Sequence, residues 1–114
     1  MEQDFIKNLS EKPTFEQNGL AGFGYPLNNR EVEIYLEVSE TGHDEEVSSD
    51  EITHIYYVLE GSGNFIINNE QYPVKVGQLV EIPPKNRFTF KGKMKLLLIM
   101  EPPYLPDKVN KIKY

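Results

Sequence analysis

The chain has no cysteine, which excludes a disulfide framework, a thiolate zinc site and a cysteine nucleophile together. Histidine is nearly as scarce, with only His43 and His54, so a metal held by three imidazoles is out of reach. Arg30 and Arg87 are the only arginines, and no arginine cluster exists for a nucleotide diphosphate. The longest apolar run, Leu96–Met100, is far too short to span a bilayer. Met1–Lys7 has neither the basic start nor the apolar stretch of a signal peptide. A cytoplasmic protein with no membrane partner is therefore expected. Positive charge is also in deficit, with a net charge of −6 and acids crowded at Glu40, Asp44, Glu45, Glu46, Asp50 and Glu51. Such a surface repels phosphate backbones, so no nucleic-acid partner is expected.

The remaining composition is that of an ordinary globular protein: 114 residues, 39% apolar and 26% charged. That length supports one domain with a modest core. Residues 1–19 read as an N-terminal arm. A short helix is expected over Asp4–Glu11, with Phe5, Ile6 and Leu9 on one face and Pro13 stopping it. Gly19–Pro26 is glycine-rich and reads as irregular or as an edge strand. Its glycines lack the spacing and the following helix of a phosphate-binding loop.

From Arg30 onward the period is two. Glu31–Val38 alternates polar and apolar residues as a half-buried strand does, and an acidic loop over Ser39–Ser49 is expected next. Ile52–Leu59 and Asn64–Asn68 read as a hairpin across Glu60-Gly-Ser-Gly63. Asn68-Asn-Glu70 marks another turn, and Pro73 puts the strand Tyr72–Val76 at an edge. Gln78–Ile82, Arg87–Lys91 and Met94–Met100 complete the set, with Lys91-Gly-Lys93 as a tight turn. Short strands at intervals of about ten residues, with no central helix, argue for an all-β barrel or sandwich over residues 20–102. Glu101-Pro-Pro-Tyr-Leu-Pro106 ends the sheet, and residues 103–114 read as an extended tail.

Two spaced motifs lift the chain above a generic β domain: Gly42-x5-Ser48-x-Asp50-x3-His54-x6-Gly61 and Gly77-x5-Pro83-x-Lys85-x2-Phe88. Together with Tyr57-Val-Leu-Glu-Gly-Ser-Gly63 and Glu81-Ile-Pro-Pro84, they resemble the cupin superfamily over roughly residues 30–100. The resemblance implies an all-β cupin jelly-roll barrel with one central pocket. In metal-binding cupins the first motif supplies two histidines and a glutamate, and the second a further histidine. Here Ser48 and Asp50 stand at the first two positions, His54 at the glutamate and Phe88 at the last. The usual metal centre is therefore absent, and no cofactor is expected.

Three readings of His54 remain. It is a hydrogen-bonded core imidazole, a divergent metal ligand with Asp50 and Glu45 or Glu46, or half of a metal-free His–Asp pair. The resemblance supplies a precedent for the last, since some cupin-fold sugar epimerases and isomerases work without metal. There His54 is the base, Asp50 orients it and Tyr56 is the acid. His43 reads as a solvated loop histidine. Alternation places His54, Tyr56 and Val58 inside the barrel, with Phe88 and Phe90 on the same side and Tyr35 beside them. The candidate ligand pocket is thus Tyr35, Ser48, His54, Tyr56, Phe88 and Phe90, suited to a sugar ring or a flat apolar ligand, with plain core packing as the alternative. Ile55, Tyr57 and Leu59 point outward as an apolar stripe, and with the aromatic arm (Phe5, Phe15, Phe23, Tyr25) they imply a homodimer.

Overall fold

In the computed structural model, the described residues are 5–17 and 19–103, together with the backbone of 109–113. They form ten strands and no helix: β1 Phe15–Gln17, β2 Leu20–Gly24, β3 Glu33–Ser39, β4 Glu45–Ser49, β5 Thr53–Ile67, β6 Glu70–Lys75, β7 Leu79–Ile82, β8 Phe88–Lys91, β9 Met94–Glu101 and β10 Val109–Lys113. All pairings are antiparallel, in two sheets curled against each other, as in a barrel. One runs β1-β2-β3-β9-β5-β7 and the other β6-β5-β8-β4-β10.

β5 belongs to both sheets. Its first half pairs with β9 and β7, and its second half with β8 and β6. The hairpin read across Glu60–Gly63 is therefore one 15-residue strand. A register shift between Val58 and Glu60 marks a bulge, followed by Gly61 at φ +82°. The glycines that suggested a turn serve a bend instead: a Cβ on Gly61 would run into the Lys93 carbonyl oxygen of the neighbouring strand. The true two-residue turn is Asn68–Asn69, with φ of 50° and 70°. Asparagine tolerates that left-handed backbone, and the turn joins β5 to β6 at the Ile67–Glu70 pair. Pro73 lies in β6, an edge strand that pairs only with β5.

Other expectations are corrected. Of the proposed helix, Asp4 lies outside the described residues and Phe5–Glu11 are not helical. Phe5 and Ile6 are exposed and find no surface for a helix face, while the Ser10 N–H donates to the Gly24 carbonyl beside β2. β2 is neither irregular nor an edge, because β1 and β3 flank it. The acidic loop contains β4, and the tail contributes β10, which pairs with β4.

The core is dominated by Val58, Phe65, Phe90 and Leu96, each fully buried, and is closed by Ile52, Ile82 and Phe88. Aromatic rings interlock there, with Tyr56 and Phe65 centroids 5.1 Å apart and Phe65 and Phe90 also 5.1 Å apart. The alternation in β5 runs as expected: His54, Tyr56 and Val58 are buried, while Tyr57 and Leu59 are exposed. On β3 the polar-looking side turns inward, since Glu37 and Ser39 are buried and Ile34, Leu36 and Val38 are only part-buried. The register aligns Ile34 with Ile99 and Ile55, and Leu36 with Leu97 and Tyr57, so the outer face of this sheet is apolar across three strands. No helix among the described residues is long and apolar enough to cross a membrane.

Candidate functional site

A cavity of about 370 Å³ lies inside the first sheet, lined by residues of β1, β3, β4, β5 and β9 and by His43. Its polar lining comprises Thr14, Gln17, Tyr35, Glu37, His43, His54 and Tyr56, and its apolar lining Phe15, Val47, Leu98 and Met100. β1 closes one side. Phe15 meets Tyr35 edge-on at 5.5 Å, and its ring lies where a Cβ on Gly22 would stand. The arm thus folds onto its own barrel.

Sequence reasoning placed Tyr35, His54 and Tyr56 in the pocket, and the structure brings all three to the cavity wall. Phe88 and Phe90 stand behind them as packing. Phe88 meets the His54 ring at 5.0 Å, and both phenylalanines contact Tyr56. Ser48 does not line the cavity. Its neighbour Val47 does, and the two-residue period of β4 turns Ser48 to the other face. Asp50 is exposed beyond the end of β4 and makes no hydrogen bond to His54. The Ser49 hydroxyl accepts the N–H groups of Glu51 and Ile52, which turns the chain there and leaves Asp50 outside. The His54–Asp50 pair is thus corrected.

Three polar groups stand in the wall that the sequence reading did not place there. His43 is not solvated but buried, 7% exposed, and pinned to β8: its N–H donates to the Phe90 carbonyl, and its own carbonyl accepts from Thr89 Oγ1 and Lys91 Nζ. Its Nδ1 accepts the Glu45 N–H. Glu37 is 2% exposed, and its Oε1 has no hydrogen-bond partner among the described residues. Gln17 Oε1 is likewise buried and unpartnered. The missed signal was acidic: Glu37 sits among Glu31, Glu33 and Glu40, and looked like one more solvated charge.

Burial sets the protonation states. Desolvation pushes the Glu37 carboxyl up to about 8, so it is mostly neutral at pH 7. Desolvation, with a smaller contribution from His43, pulls His54 down to about 4, so its imidazole is neutral as well. Burial raises Tyr56, helped by the Glu37 charge. Burial also raises Tyr35, whose hydroxyl donates to Glu33 Oε2 at 2.7 Å. The cavity is thus polar, and among the described residues no lysine or arginine lines its wall. His43, His54 and Glu37 do not converge as metal ligands, since no three His, Asp or Glu side chains among the described residues are placed to share an ion. Glu46, one of the loop acids considered for that role, is paired with Arg87 at 3.6 Å. The donor set does not fit the metal that the fold family often carries.

Residues 34–100 match the family model for the cupin domain. The chain belongs to the cupin family. Among solved structures, Streptomyces PAC13 with uridine superposes with a TM-score of 0.90 at 23% identity, covering 99% of this chain and 93% of that one. A further PAC13 structure, described as a nucleoside dehydratase, gives a TM-score of 0.82 at 20% identity, covering 100% and 93%. KdgF from Halomonas gives 0.72 at 11% identity, covering 85% and 90%. At these identities the likeness is one of fold. An uncharacterised protein of Methanocaldococcus jannaschii, MJ1618, is 39% identical over 54 residues, and the match spans 43% of that protein's length.

The two displaced ionisations predict the pH dependence of stability. The unfolded chain protonates His54 first, so stability falls as pH drops from about 6.5 to about 4. The folded state keeps the Glu37 proton that the unfolded chain releases, so stability falls as pH rises from about 4.5 to about 8. Stability should therefore be greatest between about 4.5 and 6.5, where the slopes oppose. Melting temperature against pH checks this. Glu37→Gln should flatten the alkaline limb and His54→Phe the acid limb; a wild-type melting temperature that climbs steadily to pH 8 contradicts the Glu37 assignment, and one that shows no fall below about pH 6.5 in the Glu37→Gln protein contradicts that of His54.

Proposed function

We propose that this cupin binds a small, neutral, hydroxylated molecule of the sugar or nucleoside kind, without a histidine-built metal centre. The observation that carries the reading is the cavity wall: aromatic and aliphatic surface, several polar groups and, among the described residues, no lysine or arginine. Such a wall stacks on a ring and hydrogen-bonds its hydroxyls. It cannot compensate a buried phosphate or carboxylate. The fold's likeness to a protein seen with uridine supports the same ligand class. Calorimetry with uridine and uridine 5′-monophosphate tests it. Uridine should bind at least about tenfold more tightly, roughly 1.4 kcal/mol; a preference for the phosphate, or no binding of either, sinks the proposal.

A second reading, acid–base catalysis, is favoured by the placement of His54. Its imidazole is neutral, faces the cavity and makes no hydrogen bond to the described protein groups, so it is able to accept a proton. Tyr56 lies two residues away on the same wall as an acid. Asp50 plays no part. The reaction classes that fit are isomerisation, epimerisation or elimination on a neutral sugar-like substrate. With the nucleoside or sugar that binds as substrate, His54→Gln should abolish turnover while the melting temperature shifts by only a few degrees. A variant that turns over normally removes His54 from the chemistry, and one that unfolds makes it structural.

The apolar outer face formed by Ile34, Leu36, Ile55, Tyr57, Leu97 and Ile99 supports a homodimer, because a monomer seldom leaves such a face wet. The exposed Tyr57 sits at its β5 side, opposite Leu97 of the central strand. Light scattering should show a dimer that Leu97→Glu converts to monomer. A monomeric wild type overturns this part of the reading.

A further inference from the structure

Glu37 is the cavity group that neither binding by stacking nor a histidine base accounts for. β3 carries it into the wall at 2% exposure, its Oε1 meets no donor, and no ion pair reaches it among the described residues. β2 and β9, which flank it, place Gly22 and Leu96 opposite in register, and neither can satisfy a carboxyl. The titratable groups around the same space are Tyr35 on its own strand, His54 and Tyr56 on β5, and His43 ahead of β4. None is a fixed cation, so among the described residues an ionised Glu37 would be a buried charge without compensation. A neutral carboxyl has an O–H to give instead, and the open side of the cavity is where an acceptor can stand. Gln17, on β1 in the wall of the same cavity, brings a second buried oxygen without a partner among the described residues.

We propose that Glu37 is the ligand-selecting donor of this cavity, a neutral carboxylic acid whose O–H meets a carbonyl or hydroxyl oxygen of the ligand. Gln17 Oε1 takes a hydrogen from the same molecule. The pair calls for a neutral ring that offers both an acceptor oxygen and an O–H or N–H, as sugars and pyrimidine nucleosides do. It disfavours anions, which would meet the lone pairs of two oxygens and no counter-charge. This inference rests on the cavity being the ligand site, as proposed above, and deepens it by naming the residue that discriminates.

The test combines carboxyl ¹³C NMR of Glu37 with uridine calorimetry on wild type, Glu37→Gln and Glu37→Leu. Glu37 should ionise near pH 8. Wild-type affinity should fall about tenfold between pH 7 and 9 as the donor proton is lost. Glu37→Gln keeps a donor of the same shape and should bind within about threefold of wild type, showing only uridine's own titration. Glu37→Leu, similar in volume but unable to donate, should lose at least about tenfold. A Glu37 that ionises in the ordinary carboxylate range, or a Glu37→Leu protein that binds uridine as wild type does, overturns the proposal. A wild type that binds no uridine while Glu37 still ionises near pH 8 overturns the nucleoside reading and not the donor.

Discussion

Everything in this molecule hangs on one strand. β5 runs through fifteen residues, pairs in the first sheet across the bulge after Val58 as far as Gly61, and continues in the second sheet from Ser62. The bend is local, but its consequence is global: the two sheets curl toward each other, and the space between them is defined by which side chains β5 turns inward. In its first half these are His54 and Tyr56, which face open space. In its second half the inward Phe65 meets Phe90 and closes the core. One end of the barrel is thus a solid aromatic plug and the other a chamber. A single strand with one interruption in its period builds both.

The chamber's chemistry follows from dryness more than from any pairing of charges. Removing water from a carboxyl raises its affinity for protons, and removing water from an imidazole lowers it. Glu37 and His54 therefore arrive at the same neutral state from opposite directions. Two neutral groups, one holding a proton and the other able to accept one, are the ingredients from which proton-transfer sites are made. Among the described residues they arise with no set of three metal ligands around them and with no carboxylate bonded to the histidine.

Much of the architecture was legible because strands announce themselves by alternation and turns by their residues. Asn68–Asn69 and the Pro73 edge needed only local rules, and the inward set of β5 followed from counting by two. What was illegible was decided by competition between rules. The Gly61–Gly63 segment meets the sequence criteria for a turn and for a bulge, and only its contacts with Lys91 and Lys93 decide between them. On β3 the apolar residues Ile34, Leu36 and Val38 look like the buried face, yet the barrel takes Tyr35 and Glu37 inside. A sequence rule that equates apolar with interior fails where the outer face of a sheet is itself apolar. Ser48 failed by one residue, since its neighbour Val47 holds the inward position. Asp50 failed because a serine-anchored turn lay between it and His54.

The roof of the chamber is its least-bonded part. β1 contributes three residues, paired on one side only to β2, yet it supplies Phe15 and Gln17 to the cavity wall. Short edge segments of this kind come away long before a barrel melts. Opening of this wall would thus follow the fraying of a three-residue edge, and hydrogen exchange at the amides of Phe15–Gln17 reads that fraying directly.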